Sequence, residues 1–233
     1  MFIELHAQSA FSFLEGAEHP EVFAAEAARL DMPAVALIDR DGVYGAARLA
    51  RAAAHAGVKP IVGSEITLVD GARLPLLVED REGYQNLCRL ITRMKLGAAK
   101  GAAATALDDL EPYAAGLVCL TGGARGPLAL RLAAGDGAGA RQVLARLVAI
   151  FGRSNCFVEV QRHFVREQEE ILQGLVTLAR GPPAARRVQP AALRAPGGPA
   201  ARRRLHVHPR EDRSRSRGPS APDEWRALVE GRG

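Results

Sequence analysis

LHAQSAFSFLEG, residues 5–16, follows a short apolar lead-in (Met1, Phe2, Ile3) of the kind that enters a buried strand, and the strand ends in a histidine. Small and polar residues come next, with Ser9 and Ser12 set among Phe11 and Phe13, and Glu15-Gly16 closes the stretch with a turn signal. A histidine at a strand end with a carboxylate nine residues on can bring two metal-competent side chains to one mouth. Taken alone, the pair also reads as a surface histidine beside a glutamate.

The rest of the chain gives that mouth a scaffold. Pro20 opens a helix that runs through Val22, Phe23, Ala27 and Leu30 and is broken by Asp31-Met32-Pro33. Residues 34–38, AVALI, are wholly apolar, as in a parallel strand covered on both faces, and end at Asp39-Arg40-Asp41-Gly42. An alanine-rich helix over 44–56 is closed by Gly57, and a strand from Pro60 delivers Glu65. Residues 66–69 and 74–78 flank Asp70-Gly71-Ala72-Arg73 as a hairpin, and 83–96 form an amphipathic helix. Residues 97–105 are Gly/Ala-rich and read as a mobile loop. Strands over 117–120 and 156–160 and helices over 143–151 and 166–180 complete the pattern.

Strand and helix alternate through about 180 residues, which predicts an α/β fold with a mainly parallel sheet. His6, Asp39, Glu65 and His163 each fall just after a predicted strand. In parallel α/β barrels strand C-terminal ends share one face, so such residues converge although far apart in sequence.

Residues 181–233 differ. Residues 1–180 have a charge balance of −2, whereas 181–233 carry twelve arginines, no lysine and a balance of +7, so the overall +5 is the property of one segment. The segment holds 8 of the 14 prolines and has neither helical nor strand periodicity, which predicts a disordered basic tail. The abrupt switch after Arg180 also fits GC-rich DNA read in another frame. The expected division is 1–180 and 181–233, with an open sheet edge at the 156–160 strand. Cys88, Cys119 and Cys156 are odd in number, far apart and set in apolar runs, as free thiols in a reducing cytoplasm would be. No apolar run reaches membrane-span length.

The stretches ELHAQSAFSFLEGA (4–17), ALIDRDGVYGAARLARAA (36–53), VGSEITL (62–68), GYQNLCRLITRMKL (83–96) and FVEVQRHFVREQEE (157–170) resemble the N-terminal PHP (polymerase and histidinol phosphatase) domain of bacterial C-family DNA polymerases. They are most similar to the error-prone branch, paralogues of the polymerase III alpha subunit. The resemblance implies a PHP-type distorted (β/α)7-like barrel, here incomplete at its C-terminal end, with metal ligands at one mouth. It also implies a parent protein that is a DNA-directed DNA polymerase, a nucleotidyltransferase of damage-induced mutagenesis and translesion synthesis. DNA would be its partner through that polymerase, with replication or repair proteins possible, no membrane, and a cytoplasmic location.

Position by position, the resemblance implies His6, Glu15, Asp39, Glu65 and His163 as ligands of zinc or manganese. Gln8 stands where the family has a second histidine and Arg40 where it has the histidine of an Asp-His pair; the last motif of the family is absent after Arg180. Glutamine is a poor ligand, and arginine brings a fixed positive charge to a cation's place. The expectation is a salt-bridged remnant, with Arg40 held by Glu15, Asp39 or Glu65, no metal, and a structural role without polymerase activity. Two alternatives stand beside it: a free-standing metal-dependent PHP phosphoesterase, and a non-catalytic nucleic-acid-associated interaction module. His19, His55, His206 and His208 read as surface or unscaffolded residues.

Overall fold

The computed structural model describes residues 3–161 and 168–181 in full, and the backbone of Arg186–Ala192 and Arg203–His206. His163 and the remainder of the 181–233 segment lie outside the described residues.

Strands β1 (Glu4–Ala7), β2 (Ala34–Arg40) and β3 (Lys59–Thr67) run parallel, with Arg40 paired to Glu65 at the end of the β2–β3 register. β4 (Arg73–Val78) turns back antiparallel on β3 and is followed antiparallel by β5 (Leu117–Leu120); β6 (Cys156–Glu159) is again parallel to β5. These six strands make a curled half-barrel in a mixed sheet, a PHP-like α/β architecture. The sheet is mainly parallel, as the alternation predicts, with three of these five pairings parallel, and the β3–β4 hairpin adds two antiparallel pairs in the middle.

Side-chain alternation explains both faces of β2. Val35 and Leu37 pack outward against α1 (Pro20–Arg29) and α2 (Ala46–Ala56), in a cluster with Phe23, Ala27, Leu49 and Ala53. Ala36 and Ile38 face inward and meet Leu77 and Leu120, with Leu5, Ile61 and Phe157 beside them. A strand apolar on both faces is therefore needed here. Gly57 ends α2 in the left-handed region, φ 70°, where a Cβ is unfavourable. A larger outer core joins Leu74, Leu76 and Leu117 to α3 (Arg81–Leu96), α5 (Gly137–Phe151) and α6 (Glu169–Arg180).

Four segments depart from the sequence reading. Residues 108–113 form a 3-10 turn and Pro127–Ala133 form α4, where a glycine-rich stretch gives no periodic signal. α5 begins at Gly137, six residues before the apolar run, because the Asp136 carboxylate accepts the Gly139 N–H at 2.7 Å and caps the first turn. The stretch over 97–105 is tied down at Thr105, whose backbone bonds to Thr67 and Val69. In addition, the β6 edge expected to be open carries the backbone of β7 (Arg186–Ala192), in parallel, and β8 (Arg203–His206) pairs antiparallel with β7. An unpaired edge offers its N–H and C=O groups to any extended backbone, so such pairing needs no apolar pattern.

Cys119 and Cys156 are buried free thiols at paired positions of β5 and β6, and Cys88 is half-buried. Burial pushes the Cys119 thiol well above its ordinary range, with the neighbouring Cys156 and Glu159 adding to the rise. Among the described residues no helix is long and apolar enough to cross a membrane.

The outer core sets a first expectation. Leu74→Ala, at a fully buried position on β4, should lower unfolding free energy by about 2–5 kcal/mol. Leu96→Ala, at a position 84% exposed, should change it by less than about 0.5 kcal/mol. Urea denaturation of the two variants checks the contrast.

Candidate functional site

The pairing of β1 with β2 holds Glu4 opposite Val35 and Ala7 opposite Leu37, so β1 accommodates one extra residue over that interval. This bulge lets Ala7 rejoin the outer core while His6 reaches the inner mouth. There the His6 ring is buried between two carboxylates. Nδ1 lies 2.6 Å from Glu159 Oε1 and Nε2 lies 3.3 Å from Glu65 Oε1. Gln8 Nε2 donates to Glu65 Oε2 at 2.8 Å, and Gln161 donates to Glu159 Oε1.

Burial alone would lower the affinity of His6 for its proton. The charge and hydrogen bond of Glu159, then those of Glu65, outweigh burial and push its pKa up to about 10. His6 is therefore an imidazolium at neutral pH, with both ring N–H groups donating. Burial acts to raise Glu65 as well, but His6, then Gln8 and Arg73, hold it below the ordinary carboxylate range.

Asp39, at the end of β2, is a brace. Its Oδ1 accepts from Ser9 N (2.9 Å), Ser9 Oγ (2.8 Å) and Ser12 Oγ (3.0 Å), and its Oδ2 accepts from Gly45 N at 3.0 Å. The carboxylate thus pins the β1–α1 loop and the entry to α2 together. A Cβ at Gly45 would meet Leu37 at 2.4 Å and Asp39 Oδ2 at 2.8 Å, so only glycine permits this approach. Arg40 N donates to Ser12 Oγ at 3.0 Å, and the Arg40 guanidinium donates through Nη1 to Glu15 Oε1 at 3.1 Å. Arg125, in the loop between β5 and α4, donates to the same Glu15 oxygen at 2.9 Å.

Of the residues singled out in the sequence, His6 and Glu65 meet directly, with Gln8 beside them. Glu15 meets Arg40, whereas Asp39 is engaged with serines and a backbone amide. Glu159 and Arg125 were not foreseen. Glu159 does carry a signal, a lone carboxylate inside the apolar run CFVEV, fully buried in β6. Arg125 sits in a glycine-rich loop and carries none.

A PHP domain model matches residues 4–163. The chain belongs to the PHP domain family. An error-prone DNA polymerase from Mycolicibacterium paratuberculosis is 40% identical to this PHP chain over 190 residues, 76% of the chain and 17% of that polymerase. One from Anaeromyxobacter sp. (strain K) is 41% identical over 173 residues, 72% of the chain and 15% of the polymerase. The chain thus spans well under a fifth of the length of these relatives. Among solved structures, a protein assigned as a metal-dependent phosphoesterase from Bifidobacterium adolescentis aligns over 76% of the chain and 82% of its own, with a TM-score of 0.51 and 16% identity, a likeness of fold.

The PHP resemblance implies zinc or manganese at this mouth, and the donors present do not fit such an ion. Both ring nitrogens of His6 face carboxylate oxygens, at 2.6 and 3.3 Å, so neither is directed at an open coordination position. Asp39 is occupied by two hydroxyls and two amides, and Glu15 is engaged through Oε1 by two guanidiniums. Arg40 and Gln8 supply a fixed cation and an amide in place of two imidazoles. Among the described residues no group of three or more His, Cys, Asp or Glu side chains is arranged to hold a metal ion.

The His6 cluster sets a pH dependence. Because the folded pKa of His6 lies above its unfolded value of 6.5, its contribution is complete below pH 6.5 and is lost as pH rises toward 10. Glu65 is shifted downward from 4.5, so its contribution is complete above that pH and is lost as pH falls through the folded value. Stability should therefore be flat between about pH 4.5 and 6.5 and fall by a few kcal/mol by pH 10. His6→Gln should remove most of the alkaline fall, measured as Tm against pH for the two proteins.

Proposed function

We propose that this chain is the N-terminal PHP part of an error-prone DNA-directed DNA polymerase, with a structural role and no polymerase or phosphoesterase chemistry of its own. The observation that supports the reading is the mouth itself, where the buried His6 ring lies between Glu159 and Glu65 and the Arg40 guanidinium donates to Glu15, so that each of these carboxylates is engaged by a protein group through at least one oxygen. His6, Glu15, Asp39 and Glu65, with His163, are then a remnant of a metal site that Gln8 and Arg40 have altered. Identity of about 40% to error-prone polymerases over most of the chain supports the parent activity. That parent would act on DNA in the cytoplasm, in damage-induced mutagenesis and lesion bypass. The composition switch after Arg180 supports a boundary there, with 181–233 a separate basic segment that another reading frame would produce.

Nucleotidyl transfer needs clustered carboxylates holding two metal ions, and hydrolysis by metal-bound hydroxide needs a cation with an open coordination position. Purified chain should extend no primer and should release no phosphate from monoesters or DNA ends above background in the presence of zinc or manganese. A metal-dependent phosphoesterase rate abolished by both His6→Ala and Glu65→Ala would overturn the structural reading in favour of a free-standing phosphoesterase.

A further inference from the structure

Arg40 and Arg125 reach one carboxylate oxygen from two separate elements, the end of β2 and the β5–α4 loop. Their side chains are 34% and 56% exposed, while that of Glu15 is 10% exposed. Two fixed positive charges face one negative charge, so the cluster keeps a surplus of one positive charge at the surface. Two guanidiniums drawn to the same atom also repel each other, and a second anion would relieve that repulsion. Each guanidinium has five N–H donors in a planar fork, and Glu15 engages a single Nη1 group of each. The unused donors match the oxygens of a phosphate.

The loop that carries Glu15 also carries three outward apolar side chains. Phe13 is 72% exposed and Leu14 is 88% exposed, and Phe11 lies beneath the Arg48 guanidinium, 5.7 Å from its centroid. Leu14 has φ 64°, a left-handed conformation unfavourable for leucine by about 1–2 kcal/mol. The loop therefore presents these side chains to solvent against local strain. Phosphate donors bound to a loop that also exposes an aromatic ring offer the two features that single-stranded nucleic acid engages, through its backbone and a stacked base.

We propose that Arg40 and Arg125 form a phosphate clamp whose ligand is single-stranded DNA, one phosphate lying on the two guanidiniums and a base stacking on Phe13. The clamp itself rests on geometry alone; DNA as the source of the phosphate rests on the polymerase reading above.

The test titrates the full chain with inorganic phosphate, with pyrophosphate and with a short single-stranded oligothymidylate. The arginines of residues 181–233 contribute a background common to every variant, so differences between variants carry the result. Arg125→Gln, in an exposed loop, should weaken phosphate and oligonucleotide binding by about tenfold or more, as should Arg40→Gln. Glu15→Gln should tighten both several-fold by removing the competing anion, whereas at a metal-mediated site it would weaken them. Phe13→Ala should weaken the oligonucleotide alone. Phosphate binding unchanged in Arg125→Gln and Arg40→Gln, or weakened in Glu15→Gln, would overturn the clamp. An oligonucleotide bound no more tightly than pyrophosphate and indifferent to Phe13→Ala would overturn DNA as its source. Primer extension and phosphoesterase rates are independent of these outcomes, so failure of the clamp and failure of the structural reading are distinguishable.

Discussion

A positive charge enclosed between two buried carboxylates holds the mouth of this fold together. His6 comes from the first strand, Glu65 from the third and Glu159 from the sixth, so one imidazolium links positions at the start, middle and far side of the curled sheet. Burying any one of these charges alone would be strongly unfavourable, and two carboxylates so close could not both stay ionised without the cation between them. The three groups are therefore mutually dependent. The apolar inner layer of Ala36, Ile38, Leu77 and Leu120 lies beneath them, in a sheet that has only part of a barrel's curvature.

The same reasoning separates the two arginine contacts from the histidine. At the rim, Glu15 is bound by side chains that remain partly in water, where charge pairs contribute little to stability. The fold depends on the buried cluster, whereas the rim arginines are free to serve recognition. Arg40 is a partly exposed cation anchored by the half-buried Glu15 carboxylate.

Much of this was legible in the sequence, for physical reasons. AVALI announced a strand covered on both faces because only such a strand is apolar at consecutive positions. His6 and Glu65 could be paired across 59 residues because both fall at the ends of parallel strands. Glu159 was passed over because a buried carboxylate has no periodic signature, and its partner lies 153 residues away. The first turns of α5 were hidden by Gly137 and Gly139, poor helix formers that the Asp136 cap compensates. α4 was hidden for a related reason, its start being marked only by Gly126 and Pro127 after a glycine-rich loop.

The bulge in β1 makes the strand sensitive to length more than to composition. Between the anchor pairs Glu4–Val35 and Ala7–Leu37, β1 spends one residue more than β2. Many apolar exchanges at Leu5 would leave that count intact. Deleting a single residue there would draw Ala7 out of the α1–α2 core or swing His6 toward the helices, stranding Glu65 and Glu159 without their cation. In homologous chains that share this mouth, gaps should be excluded from these four positions even where the residues themselves drift, so spacing there is a sharper marker of the architecture than identity.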